Sequence, residues 1–318
     1  MTHREAEENF IVSAEKPEKK CPHCGSEYKQ VPDVLDTWFS SALWPFATLG
    51  WSTACGRIQN SKFKIKNYCK PLRGSDLDNF YPTDVLSTAR DIINFWVARM
   101  IFSGMFFMGK EPFRSVYVHA TVLTRAGQRM SKSLGTGIDP LELVEKYGAD
   151  SVRFGLVWQT MGGQDMHFSE EHMLAGKKFC NKLWNAARFV LERTAPSREA
   201  LTKWDLKRLE NLTEADKEIL AKLAKITEET NKCLEKFEFG QALHGLYDFF
   251  WHDFCDGFIE AAKKENTAES KRILFRVLTE SLKLLHPFIP FITEEIFQIV
   301  QNGQKIKKLL IVEAYPRK

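Results

Sequence analysis

The sequence predicts an α/β segment followed by an all-α segment, and three observations lead to this fold class. Residues 115–122 form a continuous, β-branched run of the kind that fills a buried parallel strand. Asp139, Pro140 and Glu142 then supply an N-cap, a first-turn proline and a capping-box acid, which mark a helix start. From Ser169 onward nearly every segment has a helical pattern, which favours a helical bundle.

Local patterns justify the elements of the α/β segment in order. A helix beginning at residues 82–84 is expected to reach about Met108, and its apolar residues on nearly all sides predict that it is well buried. The helix that starts at Asp139 is expected to end at Gly148, a typical C-cap residue. Asp150 is expected to cap the helix that follows.

Helix-start residues divide the all-α segment into separate helices. A short final strand is expected over residues 309–312. The aromatic run at residues 247–252 is interpreted as core packing rather than as a platform for stacked bases. The expected helices cover residues 169–193, 213–237, 241–264, 269–285 and 290–301.

Composition limits the class of protein. A chain of 318 residues with 44% hydrophobic residues suits about two globular domains, and the net charge of +4 permits a polyanionic partner without requiring one. The chain has no run of 18 apolar residues and no apolar signal core near Met1, which argues against a membrane span and against secretion. Seven cysteines, most of them isolated, favour a reduced cytoplasmic setting over a disulfide framework.

Residues 126–140 are the most informative stretch. They place Arg129 and Lys132 in a Gly- and Ser-rich loop directly before a helix start. Cations in such a loop can close over a polyphosphate and stabilise the charge that develops as pyrophosphate leaves. Ser131 and Ser133 can donate hydrogen bonds to phosphate or simply hold the turn. A basic, solvated turn without a ligand is the alternative interpretation.

The same stretch carries a family resemblance. Residues 129–133, Arg-Met-Ser-Lys-Ser, resemble the Lys-Met-Ser-Lys-Ser signature of class I aminoacyl-tRNA synthetases. Three further regions resemble the valyl-tRNA synthetase family. The resemblance covers about residues 11–317 and is weakest over 52–78, which is interpreted as an insertion. The three regions are residues 33–46, residues 91–100, and residues 148–154 together with 163–165 and 181–186.

The resemblance implies the domain organisation. Residues 1–32 would be a remnant of the editing insertion and its zinc-knuckle region. Residues 33–168 would form the C-terminal half of a Rossmann-like catalytic domain, and residues 169–318 a helical anticodon-binding domain. The family's His-x-Gly-His motif, which binds the ATP phosphates, does not occur in this sequence. The chain is therefore expected to need a full-length parent or a separately encoded N-terminal half.

The resemblance also implies a function and assigns residues to it. The reaction would be ATP-dependent activation of valine, with Mg²⁺ accompanying ATP, followed by transfer of valine to its tRNA. Lys132 matches the second signature lysine, which contacts the ATP phosphates, and Arg129 occupies the position of the first. These two would be the catalytic residues, and Ser131 and Ser133 would complete the ATP-binding loop.

Four other positions match functional residues of the family. His119 lies near the end of a predicted strand and would approach the adenosine, although Ala120 stands where the family has glycine. Trp38, Ile92 and Trp96 match the valine side-chain pocket. Ile92 and Trp96 are four residues apart, so an α-helix would place them on one face. Without the resemblance, His119 and the pocket residues would be interpreted as ordinary core residues.

Cys21 and Cys24 have the spacing of a zinc knuckle, followed by Gly25. Two thiolates supply half of a tetrahedral site, so zinc binding and a metal-free turn both remain open. Cys55 and Cys69 could add ligands, but their spacing does not form a second knuckle.

Two other functions are compatible with the same residues. One is a noncatalytic tRNA-binding module that uses only the helical bundle. The other is a segment of the related isoleucyl- or leucyl-tRNA synthetase. In each case the expected partners are tRNA and, for an enzyme, an amino acid and ATP, with no membrane partner and a cytoplasmic location.

Overall fold

The structure is a computed structural model that describes residues 11, 16–18, 20–22, 25–49, 73–131, 135–162, 164–194, 212–264, 267–301 and 308–317. It divides into two compact units, Met1–Val116 and Tyr117–Lys318. The domain boundaries expected at residues 32 and 168 stay predictions.

The first unit packs helices around a small aromatic core. Strands β1 and β2 pair, and a 3-10 turn at Arg90–Ile92 followed by a π-helical segment at Ile93–Val97 leads into α3. Phe46 and Tyr81 lie at the centre of the core, with ring centroids 5.8 Å apart. The regular elements are α1 (Thr37–Thr48), α2 (Asp76–Phe80), β1 (Thr83–Thr88), α3 (Ala98–Met108) and β2 (Phe113–Val118).

The long helix expected from residues 82–84 is wrong at its start. Residues Thr83–Thr88 form β1, because β-branched residues in this run pair with β2 rather than entering the helix. The prediction that the helix is well buried is also wrong. Within α3 only Gly104 and Met108 are buried, and Phe102 is 72% exposed. The apolar residues on all sides of α3 therefore do not predict its burial, because the other described residues pack against only one side of the helix.

The same stretch, Arg90–Met108, is the single candidate among the described residues that is long and apolar enough to cross a membrane. Only 17% of its most apolar window is buried, and the mean hydropathy of that window is 1.3. Asp91 and Arg99 lie within the stretch, and charges of this kind are costly in lipid. Core helices of water-soluble proteins can meet the same length and composition test.

The second unit joins a short parallel strand pair to a helical bundle. Val122 of β3 lies opposite Met166 of β4, and Leu123 lies opposite His167. The strand expected over residues 309–312 is wrong, because Leu310–Val312 forms a 3-10 turn. The elements are β3 (Val122–Leu123), α4 (Pro140–Tyr147), α5 (Ala149–Trp158), β4 (Met166–His167), α6 (Glu170–Thr194), α7 (Glu214–Glu235), α8 (Phe239–Asp248), a π-helical segment (Phe249–Phe258), α9 (Ile259–Lys264), α10 (Ala268–Leu285) and α11 (Pro290–Val300).

Local capping signals set most helix ends of this unit where the sequence predicts them. The Asp139 side chain accepts a hydrogen bond from the Leu141 N–H at 2.8 Å, and α4 ends at Gly148. Thr213 and Asp216 form a reciprocal capping box at the start of α7. These ends depend on residues only a few positions apart, which is why the sequence reveals them.

Asp150 does not cap its own helix, so that prediction is wrong. Its carboxylate accepts hydrogen bonds from the Phe291 N–H at 3.1 Å and the Ile292 N–H at 2.7 Å, at the N-terminus of α11. Arg153, one turn along α5, donates to the carbonyls of Pro287 and Phe288 just before α11. The Asp150 carboxylate of α5 therefore helps to fix the position of a helix whose bonded residues lie 141 and 142 positions away in sequence.

The bundle core is rich in buried aromatic side chains. Phe179, Phe250 and Phe254 are at most 1% exposed, and the rings of Phe250 and Phe254 lie 5.4 Å apart. The buried part of the aromatic run at residues 247–252 therefore packs in the core, as predicted. Gly240 lets α8 start against the end of α5, because an added Cβ would lie 2.2 Å from the Thr160 carbonyl oxygen.

We predict that Asp150→Ala lowers the free energy of unfolding by about 1–2 kcal/mol, because two N–H groups at the start of α11 lose their acceptor. Chemical denaturation followed by circular dichroism measures the change. Asp33→Ala is the matched control, since Asp33 is exposed and lies outside any helix or strand. Equal stability of the two variants would show that the α11 cap is unimportant.

Candidate functional site

The signature loop, residues 126–140, lies at the carboxyl end of β3. A turn after β3 is closed by hydrogen bonds from the Thr124 N–H to the Gln128 carbonyl and from the Gly127 N–H to the Thr124 carbonyl. Arg129 then pairs with Leu123 across an antiparallel bridge, and the Arg129 residue is exposed. The sequence therefore places a guanidinium where ligands bind in parallel α/β folds.

The far side of the loop is anchored as well. The Ser131 N–H donates to the Thr136 hydroxyl at 2.9 Å, and the Thr136 N–H donates to the Ser131 carbonyl at 3.2 Å. Three residues later Asp139 caps α4. Lys132 and Ser133 lie outside the described residues, so their assignment to the ATP phosphates stays a prediction.

Lys146, a further cation of the second unit, is already engaged. Its ammonium lies 2.6 Å from a Glu170 carboxylate oxygen, to which the Tyr147 hydroxyl also donates. The hydrogen bond to Glu170 is the main reason that the pKa of Lys146 is raised, and it lowers the pKa of Glu170. The charge of the Lys146 ammonium is therefore already balanced by a carboxylate.

Asp165 fixes the entry to β3, a role that the sequence alone did not assign. Its carboxylate accepts a hydrogen bond from the Thr121 N–H at 3.1 Å, one residue before the start of β3. The Met166 N–H donates to the Thr121 carbonyl, and the Phe168 N–H donates to the Leu123 carbonyl. The Gln-Asp pair in the matched segment at residues 163–165 thus contains a structural carboxylate.

His119 lies one residue beyond β2 and is exposed. Its Nδ1 is 3.0 Å from the carbonyl oxygen of Ala120, whose own side chain is buried. The expected position at the end of a strand is therefore observed. Contact between His119 and an adenosine stays a prediction.

The three expected pocket residues all lie in the first unit and are half-buried. Trp38 is in the first turn of α1, Ile92 ends the 3-10 turn, and Trp96 lies in the π-helical segment. The spacing argument for Ile92 and Trp96 does not apply, because the backbone between them is not α-helical. The Trp38 ring stacks on Phe95 with centroids 6.4 Å apart, which places it beside the segment that carries Trp96.

An ion pair holds α1 against this segment. Asp36 caps α1 by accepting from the Phe39 N–H at 2.7 Å, and both of its oxygens accept from the Arg99 guanidinium, at 3.0 and 2.9 Å. The guanidinium carbon lies 6.0 Å from the centre of the Phe95 ring, which stacks on Trp38. Arg99, for which the sequence predicts no role, therefore connects the cap of α1 to the wall of the expected pocket.

Backbone hydrogen bonds join the described residues on either side of the expected metal site. The Gly25 N–H donates to the Cys21 carbonyl at 2.8 Å, and Gly25 has a φ of +67°, which favours glycine. Cys24, Cys55 and Cys69 lie outside the described residues. Among the residues that are described, no group of three or more His, Cys, Asp or Glu side chains could hold a metal ion. The described thiol of Cys21 alone does not make a zinc site.

The Asp36 cap should give the first unit a specific response to acid. The Phe39 N–H, followed by the Arg99 guanidinium, holds the pKa of Asp36 below its ordinary value. A lowered pKa stabilises the fold at neutral pH, and the contribution is lost as the pH falls through that lowered value. We predict that Asp36→Asn lowers the melting temperature at pH 7 and that its deficit relative to the unaltered chain shrinks toward pH 3. Thermal melts across this range test it, and a constant deficit would contradict it.

Comparisons with known proteins agree with this geometry. Residues 2–169 match the family model for tRNA synthetases class I (I, L, M and V), and residues 216–318 match the anticodon-binding domain of tRNA ligase. The chain is 46% identical over 303 residues to a valine–tRNA ligase of Clostridium tetani and 47% identical over 290 residues to one of Thermotoga maritima. These alignments cover 93% and 90% of the chain but only 32% and 30% of the relatives.

Two solved structures share the fold. A ternary complex of LeuRS, tRNA and LeuAMS from Agrobacterium radiobacter matches 93% of this chain and 34% of its own, with a TM-score of 0.71. A methionyl-tRNA synthetase of Mycobacterium tuberculosis in complex with methionyl-adenylate matches 71% of this chain and 46% of its own, with a TM-score of 0.56. Each is 22% identical to this chain. The resemblance seen in the sequence is confirmed, and the chain belongs to the class I tRNA synthetases.

Proposed function

We propose that this chain is a segment of a valine–tRNA ligase, which activates valine with ATP and transfers it to tRNA(Val). The observation that carries the proposal is the signature loop at the carboxyl end of β3, with Arg129 bridged to Leu123 and the following helix capped by Asp139. The sequence identity of 42–47% to valine–tRNA ligases supports valine, rather than isoleucine or leucine, as the amino-acid substrate. The chain spans about a third of the length of those relatives, so the whole reaction remains a proposal.

The proposed reaction has two steps. A carboxylate oxygen of valine attacks the α-phosphorus of ATP, and the bond to the bridging oxygen breaks to release pyrophosphate. A hydroxyl of the terminal tRNA ribose then attacks the carbonyl of valyl adenylate, releasing AMP. Mg²⁺ enters with ATP as part of that substrate. The first step builds negative charge on the departing pyrophosphate, which cations can stabilise.

Arg129 and Lys132 would supply those cations. An arginine at the first signature position keeps its charge and offers a planar set of donors, whereas a lysine is a compact point charge. Arg129 is exposed, and the loop around it is anchored on both sides by backbone hydrogen bonds. Ser131 would hold the loop through its backbone bond to Thr136, and Ser133 would donate to a phosphate oxygen.

Trp38, Ile92 and Trp96 would line the valine side-chain pocket. Two indole rings and one branched aliphatic chain offer a rigid apolar wall, and the Asp36–Arg99 ion pair supports it. A size difference of one methylene changes the binding free energy in such a pocket by only about 1–3 kcal/mol, which limits discrimination among branched amino acids. His119 would contact the adenosine.

The remaining phosphate contacts would come from another segment. This sequence has no His-x-Gly-His motif, so the proposal requires a longer form of the same polypeptide or a second chain that carries it. The helical bundle would bind tRNA(Val), in line with the match of residues 216–318 to an anticodon-binding domain. A role in protein synthesis would place the aminoacylation reaction in the cytoplasm.

We predict that the 318-residue chain alone gives no valine-dependent ATP–pyrophosphate exchange above background, because its sequence contains no His-x-Gly-His motif to bind the ATP phosphates. Addition of a segment carrying the motif should restore exchange. In that restored enzyme, Lys132→Ala should lower kcat by about 10²–10³-fold, the cost of losing a well-placed transition-state donor.

The matched control for this experiment is Lys225→Ala, because Lys225 is an exposed lysine of α7. Exchange by the isolated chain would contradict the first expectation. Equal kcat for Lys132→Ala and Lys225→Ala would remove Lys132 from the chemistry. Failure of the added segment to restore any exchange would leave a noncatalytic tRNA-binding module as the better description.

We also predict that the chain binds tRNA(Val) more tightly than the same tRNA with its anticodon exchanged. Phosphate contacts should make both affinities fall with salt, while unpaired anticodon bases should provide the difference. Titrations of both RNAs at the same salt concentration measure the difference in affinity. Equal affinities would eliminate anticodon recognition and leave a generic basic surface.

A further inference from the structure

The signature loop leaves β3 beside residues 165–168, a stretch that contains β4 and is called the support segment below. The support segment holds β3 through backbone hydrogen bonds at two points. The Met166 N–H donates to the Thr121 carbonyl at 2.9 Å, and the Phe168 N–H donates to the Leu123 carbonyl at 2.9 Å. The strand from which the loop starts is therefore placed by a segment that is distant in sequence.

Asp165 adds a side-chain contact to this backbone pairing. Its carboxylate accepts a half-buried hydrogen bond from the Thr121 N–H at 3.1 Å, directly before β3 begins. Thr121 is thereby held through its N–H and its carbonyl by two consecutive residues of the support segment. Loss of the carboxylate would leave a half-buried backbone donor without this acceptor, and such a loss destabilises the surrounding structure.

The support segment is also coupled to the loop itself. Arg129 pairs with Leu123 across the antiparallel bridge, so the guanidinium is carried by the strand that Asp165 holds. The turn at Gly127 lies close to the His167 ring, because an added Cβ at Gly127 would be 3.3 Å from the His167 Cε1 atom. The position of the loop therefore depends on the position of the support segment.

Met130 anchors the residue that follows Arg129. Its half-buried side chain packs against an apolar cluster whose buried members are Val152, Phe168 and Met173. Phe168 belongs to the support segment, which therefore holds the loop through side-chain packing as well as through backbone bonds. Successive side chains of an extended backbone point to opposite sides, so the packing of Met130 agrees with the exposed position of Arg129.

We propose that Asp165 is a positioning residue for the activation of the amino acid. By holding Thr121 it fixes the position of β3, and through the bridge from Leu123 it places the Arg129 guanidinium for the ATP phosphates. The inference rests on the proposed function, which assigns those phosphates to the signature loop. Asp165 touches no substrate in this role. The role needs an acceptor oxygen at this position but not a negative charge.

Cleavage by trypsin after Arg129 tests the positioning in the chain itself, without any activity. Both residues of the scissile bond are held, Arg129 by the bridge and Met130 by the apolar cluster, so trypsin reaches this bond only when the region opens locally. Asp165→Ala should raise the rate of cleavage after Arg129 by about 5–10-fold, the effect of losing one half-buried hydrogen bond. Cleavage after Lys225, within α7, reports opening of the bundle and should not change.

Two further variants separate the hydrogen bond from the charge. Asp165→Asn removes the charge but keeps an acceptor oxygen, so its cleavage should match that of the unaltered chain. Glu171→Ala removes an exposed acid in the first turn of α6 and should match it as well. The inference is overturned if Asp165→Ala is cleaved at the unaltered rate, if Asp165→Asn is accelerated equally, or if cleavage after Lys225 rises in parallel.

Kinetics of the restored enzyme supply the second arm. Asp165→Ala should lower kcat/KM for ATP in the exchange reaction by about 10-fold, because a displaced cation loses part of its effect on the phosphates. The KM for ATP should rise and kcat should fall, whereas the KM for valine should stay constant. A merely structural role would lower the amount of active enzyme and leave both KM values unchanged. Asp165→Asn should restore the kinetics.

Failure of this inference and failure of the proposed function give different results. If exchange is present and Asp165→Ala leaves kcat and the KM for ATP unchanged, only the positioning role is overturned. If the unaltered chain gives no exchange together with the added segment, the proposed function is overturned, and the role of Asp165 in that reaction with it. In that case the cleavage rates still decide whether Asp165 holds Arg129 in place.

Discussion

The buried carboxylate of Asp150 is the constraint on which the second unit depends. It satisfies two backbone donors at the start of α11, while Arg153 binds two carbonyls just before that helix. Both side chains come from α5, which packs directly on α6: a Cβ at Gly155 would lie 2.8 Å from the Met173 backbone nitrogen. One helix, which lies between β3 and β4 in the chain, thus shares a core with Val122 of β3 and contacts both α6 and α11 of the bundle.

This rigidity suits the phosphate-holding role that is proposed for the signature loop. The turn at Thr124–Gln128 and the Ser131–Thr136 bonds fix the loop where it leaves the fold, and Asp165 fixes the strand that enters it. Placement by backbone hydrogen bonds leaves the guanidinium of Arg129 at the edge of the strands rather than inside the core. Donors that are positioned before the charge develops need little reorganisation during the reaction, which is the main source of electrostatic catalysis.

The sequence predicts those features that depend on near neighbours. The caps at Asp139 and Thr213 and the end of α4 at Gly148 all follow from residues within one turn. Hydrogen-bond partners that are distant in sequence could not be predicted in this way. Asp150 has the sequence context of a local cap, yet its partners lie about 140 residues away, and Arg99 gains its role only when α1 packs beside it. The valine-pocket and ATP assignments came from resemblance, and spacing alone would have placed Ile92 and Trp96 on an α-helix that is not there.

The π-helical segments at Ile93–Val97 and Phe249–Phe258 have a consequence for how this chain tolerates insertions and deletions. Hydrogen bonds in a π-helix skip one residue more than in an α-helix, so the segment contains surplus residues relative to an α-helical path. Removal of one residue could convert it to an α-helix, but every later side chain of that helix would rotate by about 100° around the axis. For the longer segment, Phe258 and the helix that continues from it would turn away from the bundle core. A helical wheel drawn through either segment is therefore out of phase beyond it, and alignments of relatives should keep the length of both segments constant.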